Sequence, residues 1–278
     1  MANWKDGLPL KAANVVVYLI FLSANGYGAL GPNAAKWGTG AQETFITPDS
    51  WLFGIWGLIH FLLLGFIIYQ FHPAGYQPVI EGVGWRFPIL ALLNSVYATL
   101  SSMGSHHSKT DRIWAILAFL VMLMIAGTVS TIFHTLKTGH KSKNLLDTLV
   151  IHLPFSLWHG LSVVLAVVAG FAAFGKDAHS SKPGIVSDIL VFLGLLFLEG
   201  TSAGYALYGE GDIASGAVIS LALLAIFQHQ TPGNANRFIH WSALVFFLLS
   251  LVAVLRSLFA IIKGRRATAE GENAPLLG

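Results

Sequence analysis

Eight apolar stretches, parted by short polar turns, leave this chain few ways to fold. They run Ala13–Leu30, Trp51–Tyr69, Phe87–Met103, Ile113–Leu136, Leu149–Phe174, Ile185–Leu207, Ile213–Phe227 and Phe238–Ile262. Most reach the roughly 20 residues a helix needs to cross a hydrocarbon layer; the third and seventh are short. None alternates apolar and polar residues as a barrel strand does. In lipid the backbone must satisfy its own hydrogen bonds, so the runs read as helices. Charged residues make up 10% of the 278, against about 25% in a soluble domain, too few to clothe a water-facing surface. The expected fold class is all-α: a polytopic membrane helix bundle of about eight spans, with the lipid bilayer as its first partner.

The stretches "GSHHSKTDR", "KTGHKSKN", "GKDAHSSKPG" and "QHQTPGNANR" read as connecting loops, and the segment from Gly31 to Ser50 is the longest. The chain divides into an N-terminal cytosolic segment (1–12), a five-span core (13–174), a three-span extension (185–262) and a polar, disordered cytosolic tail (263–278). Basic residues set orientation. With both termini in the cytosol, that side holds Lys5, Lys11, Arg86, Lys137, Lys141, Lys143, Arg256, Lys263, Arg265 and Arg266. The other side holds Lys36, Lys109, Arg112, Lys176, Lys182 and Arg237. The excess favours an even number of spans. Lys5 and Lys11 ahead of "VVVYLIFL" also fit a cleavable signal, but the polytopic body that follows favours a retained first helix. Cysteine is absent, so no disulfide framework or thiolate metal site exists. No basic cluster with interleaved aromatics points to nucleic acid. No nucleophile–base pair and no metal-spaced cluster is present, so neither catalysis nor a metal site is expected.

The most distinctive stretch is "TPDSWLFGIWGLIHFLLLGFIIYQF", Thr47–Phe71. Trp51 falls at a span end, where an indole anchors with its N–H wet and its ring dry. Trp56 and Trp158 lie deeper, as core packing or as pocket walls. His60 follows Trp56 by four residues and shares its helix face. His60 and His159 fall at similar depth in their spans. An intramembrane histidine usually faces the bundle interior, either neutral and bonded to a backbone carbonyl, or touching a ligand, or reaching a haem iron. Pro154 should kink the fifth span and free a carbonyl there.

The wording around these residues resembles the tryptophan-rich sensory protein family, also called the translocator protein or peripheral benzodiazepine receptor family. "PDSWLFGIWGLIH" supplies Pro48, Ser50, Trp51, Phe53, Gly54 and Trp56. "LNSVY" supplies Asn94 and Tyr97, and "LPFSLWHG" supplies Pro154, Phe155 and Trp158. The resemblance covers residues 13–174 and is closest to the longer members, which carry a similar extension. It implies a five-helix core that binds flat hydrophobic molecules such as porphyrins and sterols. The ligand residues it implies, together with the adjacent histidines, are Trp51, Phe53, Trp56, His60, Asn94, Tyr97, Pro154, Trp158 and His159. No resident cofactor is expected with certainty; a porphyrin or haem is one ligand the resemblance allows, and a sterol another. Four departures stand out: Asp49 replaces a second proline, one residue is missing between Phe53 and Trp56 relative to short members, His60 replaces a tyrosine, and Tyr97 replaces a tryptophan.

Glu199 is the deepest acid, about 12 Å from the end of its span, and Arg256 lies about 9 Å from the same edge. The two are expected to pair, since a charge in lipid needs a partner; the alternatives are a protonated or lone Glu199, or a proton relay. The tail carries Glu272 followed by Leu276 and Leu277. It resembles an acidic dileucine signal read by clathrin adaptors, which implies vacuolar, lysosomal or endosomal membranes in a eukaryote. The function expected is binding of a planar hydrophobic ligand, tetrapyrrole or sterol-like, for sensing, sequestration or transport. The alternatives are a small-solute or proton-coupled transporter using the intramembrane acid, and a scaffold without ligand; a homo-oligomer is left open.

Overall fold

The structure, a computed structural model, describes residues 5–30, 43–103, 109–178, 182–208, 211–231 and 237–272. Every regular element in them is helical. Eight helices carry the fold: α1 (Leu8–Leu30), α2 (Ile55–Tyr69), α3 (Arg86–Met103), α4 (Lys109–Gly139), α5 (Leu153–Phe174), α6 (Ile185–Leu207), α7 (Ile213–His229) and α8 (Arg237–Glu272). A 3₁₀ turn, Ser50–Gly54, leads into α2. A short turn, Leu145–Asp147, and a π-turn, Thr148–His152, lead into α5. Six passages among the described residues are long and apolar enough to cross a membrane: Leu8–Gly28, Ser50–Tyr69, Arg112–Gly139, Leu145–Phe174, Ile185–Leu207 and Arg237–Lys263. The chain is an integral, multi-pass membrane protein.

The two short runs have structural reasons. The third is one arm of a bent pair: a π-helical segment, Tyr76–Val83, meets α3 at 65°. The corner is Gly84, whose φ of 57° suits a residue without Cβ. The seventh, α7, has 17 residues because it starts on a buried cap, Asp212, whose side chain accepts from the Ser215 N–H. At the other end of the chain α1 begins at Leu8, five residues before the apolar run. It buries Lys11 with its ammonium 5.7 Å from the Phe71 ring and 5.8 Å from that of Tyr76.

The first five helices close a ring in the order α1–α2–α5–α4–α3. Its interior is packed by Phe21, Trp56, Ile59, Phe66, Phe87, Leu90 and Trp158, among others. α6, α7 and α8 pack on one another and dock on α5 mainly through α7. That seam buries Ile46, Leu52, Val164, Val168, Ile219 and Leu223. α5 therefore has core on two sides, which is why its sequence is apolar almost all round. Gly160 makes the docking close: a Cβ there would stand 2.5 Å from the Ser215 carbonyl oxygen. The outer faces of α6 and α8 show Ile185, Ile189, Leu193, Phe197, Trp241, Val245 and Leu248 to the surroundings, a stripe suited to lipid and not to water.

Pro154 does break the regular helix, but without a sharp kink. The chain runs from Leu145 to Phe174 as one span, and the π-turn Thr148–His152 takes up the disturbance just before the proline. Widening the turn moves the carbonyls away from a pyrrolidine ring that would clash with them. The widened turn presses on α2, where a Cβ at Gly65 would come within 2.7 Å of Val150 Cγ1.

Candidate ligand site

Inside the five-helix ring, five side chains from three helices meet. Trp56 and His60 come from α2, Trp158 from α5, and Tyr18 and Phe21 from α1. Phe21 stacks on Trp158 with centroids 4.9 Å apart and planes 12° from parallel. Trp56 meets Phe21 edge-on at 5.6 Å and Trp158 edge-on at 5.6 Å. The His60 ring lies 4.4 Å from that of Phe21. All five are buried. Tyr18 Oη donates to the backbone carbonyl of His60 at 3.0 Å.

The cluster is buried but not chemically closed. Both His60 ring nitrogens and Trp158 Nε1 are buried with no hydrogen-bond partner, and so is Asn94 Oδ1. At His60 the expected bond to a backbone carbonyl is not made: its imidazole bonds nothing. Asn94 and Tyr97 continue the buried face of α3 marked by Phe87, Leu90 and Ala91, and Tyr97 packs on the interior cluster. Each unpaired buried polar atom costs about 1–3 kcal/mol relative to a satisfied one. The interior therefore carries donors and acceptors suited to a partner the protein does not supply.

The remaining candidates go elsewhere. Phe53 is buried in the interior cluster. Trp51 is 42% exposed, and its indole N–H donates to Gln228 Oε1 on α7 at 2.7 Å. His159 points away from His60. It stacks on Phe133 of α4 at 4.9 Å, and its Nε2 lies 3.1 Å from Tyr205 Oη on α6. Residues 158 and 159 are about 100° apart around α5 and face opposite compartments.

His159 belongs to a second buried group. Asp212 accepts from the hydroxyls of Ser156 and Ser215 and from the Ser215 N–H. Ser215 also bonds the Ser156 carbonyl, and His159 Nδ1 lies 3.8 Å from Asp212 Oδ2. Burial pushes the Asp212 carboxyl up, but the imidazole and the two serines outweigh it and hold the group below its ordinary value. Nothing in the sequence singled out Asp212, which sits in the loop wording "GEGD". Tyr18 and Phe21 did leave a signal: Asn14, Tyr18, Phe21 and Asn25 recur at helical spacing and are all buried.

A family model described as TSPO-like protein matches residues 11–256. The chain belongs to the TSPO-like family. The match runs through α6–α8, beyond the residues 13–174 that carry the wording resemblance, so the extension is part of the TSPO-like chain itself. No curated protein and no solved structure matches significantly.

The extension also accounts for the departure at Asp49. Its backbone N–H donates to the Ala225 carbonyl of α7 at 3.0 Å. A proline has no N–H to give. The Asp49 carboxylate meanwhile accepts from the Trp51 N–H and caps the 3₁₀ turn. Glu43, next to His229, and Gln230, whose amide donates to the carbonyls of Thr44 and Thr47, tie the same segment to α7. In this TSPO-like chain the entrance to α2 is thus fastened to the extension.

The expected pair of Glu199 and Arg256 does not form. Phe192 of α6 packs on Phe238 and Phe246 of α8. That register sets Arg256 about two turns beyond Glu199 along the bundle. Glu199 is half-buried and Arg256 exposed. Leu276 and Leu277 of the dileucine wording lie outside the described residues, as does the side chain of Glu272.

Proposed function

We propose that the ring of Trp56, His60, Trp158, Tyr18 and Phe21 binds a planar hydrophobic molecule with a few polar groups, tetrapyrrole or sterol-like, for sensing, sequestration or transport. The observation that carries this reading is the set of buried, unpartnered polar atoms on His60, Trp158 and Asn94 in an otherwise aromatic interior. A flat ligand that stacks on Trp158 in place of Phe21 would meet them. Such a mixture of apolar walls with few polar tips is what small-molecule sites present. TSPO-like membership supports the same class of ligand. The reading holds the ligand without converting it. A tetrapyrrole would come as cargo, and among the described residues no group of three His, Asp or Glu could hold a bare metal ion.

A titration of the purified protein tests it. A porphyrin should quench tryptophan fluorescence saturably and shift its own absorption band. Trp56→Ala or Trp158→Ala should each weaken binding by about 1 kcal/mol or more, while Trp241→Phe, on the lipid-facing side of α8, should not. Equal losses from all three would mean partitioning into the membrane and would remove the site. A proton-coupled transporter is the second reading. It would have to use Asp212 and His159, the acid and base that are buried together, and not Glu199.

A further inference from the structure

At the end of the bundle where α2 turns into α3 and α4 into α5 there is a cavity of about 330 Å³. It is separate from the aromatic ring: a layer of Phe66, Phe87 and Phe155 rings lies between them along α2 and α5. Its polar lining comes from Gln77, His140, Lys141, Ser142, Lys143 and His152. The one acid in the lining is Asp147, and its oxygens are engaged by the protein. Oδ1 accepts from Tyr69 Oη at 2.5 Å and Oδ2 from the Lys143 backbone N–H at 3.1 Å. Asn144 caps the same turn by accepting from the Asp147 N–H at 2.8 Å. The carboxylate thus shapes the loop and leaves the Lys143 ammonium without a bonded acceptor among the described residues.

The walls are firm. His140 lies on Gly82, where a Cβ would come within 2.8 Å of its ring. Arg86 holds the same turn through the Gly82 carbonyl at 2.9 Å. Beside the cavity the surface changes character: Leu145 and Leu146 are exposed next to the basic loop, and Trp85 next to Arg86. Cations and imidazoles at a mouth, with an apolar collar alongside, suit an anionic head carried on a greasy tail. The volume fits a headgroup, not a lone ion.

We propose that this cavity binds a phosphate group, presented by an anionic phospholipid of the surrounding leaflet. Lys141 and Lys143 supply the charge, and His140 and Gln77 the hydrogen bonds; Ser142, whose hydroxyl donates to the Asn144 carbonyl at 2.9 Å, and His152 line the wall. The exposed leucines take the acyl chains.

The full-length protein in phosphatidylcholine nanodiscs tests this with three probes: a short-chain phosphoinositide, its free headgroup and inorganic pyrophosphate. The phosphoinositide should bind saturably. Lys141→Gln with Lys143→Gln should weaken it about twenty-five-fold, at roughly fivefold per lysine near a membrane surface. Ala74→Trp, which fills the cavity without changing charge, should abolish binding while the melting temperature holds. Arg256→Gln with Lys263→Gln removes two exposed cations elsewhere and should change affinity by less than about twofold, as screening predicts. Binding of the lipid but not of the free headgroup or pyrophosphate assigns the phosphate to the leaflet; equal binding of all three assigns it to a soluble phosphate compound. Equal losses from both charge pairs, indifference to Ala74→Trp, or no saturable binding of any probe would overturn the proposal.

Discussion

His60 and His159 are both buried and both aromatic-packed, yet they sit in opposite kinds of environment. His60 lies between rings, and neither of its nitrogens has a partner. His159 bonds Tyr205 through Nε2, and its Nδ1, which makes no hydrogen bond, stands 3.8 Å from a carboxylate that two serines hold. One compartment is chemically unfinished and the other nearly complete. A protein stabilises itself by satisfying buried polar groups, so the Asp212 group reads as the structural joint between the core and the extension. The unfinished compartment costs stability, and such a cost makes sense where a ligand supplies what is missing.

The sharpest way to break this contrast is to remove Asp212. In Asp212→Ala the Ser215 N–H and the two serine hydroxyls lose a charged acceptor inside the seam between α5 and α7. Charged hydrogen bonds contribute about 1.5–3 kcal/mol each when lost, and a missing cap about 1 kcal/mol. A loss of about 3 kcal/mol or more is expected in detergent melting, while porphyrin affinity per folded molecule should be kept. A small loss would demote the joint, and loss of affinity at full folding would make the two compartments one.

The matched pair of histidine changes comes next. His159→Phe gives up the Tyr205 bond and the contact with Asp212, and should destabilise by about 1–2 kcal/mol. His60→Phe removes two nitrogens that bond nothing within the protein. It should leave melting unchanged or raise it, and weaken the ligand instead. His60→Tyr, the residue of the resembling wording, should fold equally well. If both histidines cost the same stability, the contrast between the compartments fails.

Helix content, spans and the aromatic set were readable because each rests on local composition or helical spacing: Trp56 and His60 share a face by count alone. The partners of those residues were not readable, because they depend on which helix lies beside which. Phe21 reaches Trp158 only because α1 closes the ring against α2 and α3. Side-by-side residues misled for the same reason: Trp158 and His159 are neighbours in the chain but diverge around α5. Asp212 stayed hidden in a glycine-rich turn, where an acid ordinarily faces water. Trp51 was placed correctly at a span end, but its partner, Gln228, lies 177 residues away.

A smaller effect tests how the entrance to α2 is fastened. Asp49→Pro restores the wording of the shorter relatives but deletes the N–H that bonds Ala225, along with the cap on Trp51. It should cost about 1–2 kcal/mol. Asp49→Asn keeps both the N–H and a capping oxygen and should cost a few tenths at most. If proline is tolerated as well as asparagine, the link from this segment to the extension carries no stability.

The smallest effect is expected at the two charges that looked like a pair. Had Glu199 and Arg256 been partners, removing either would have stranded the other at about 3–5 kcal/mol. The register of α6 on α8 sets them about two turns apart, with Arg256 exposed. Arg256 is long enough to lift its guanidinium toward the headgroups, and Glu199 is half-buried. Glu199→Gln and Arg256→Gln should therefore each shift stability by no more than about 0.5 kcal/mol, and the double variant should equal their sum. A coupling well above that, with the double variant recovering what each single change loses, would mean that α6 and α8 slide in the membrane to bring the charges together. The extension would then hold a switchable ion pair, a third and mobile region beside the unfinished core and the joint at Asp212.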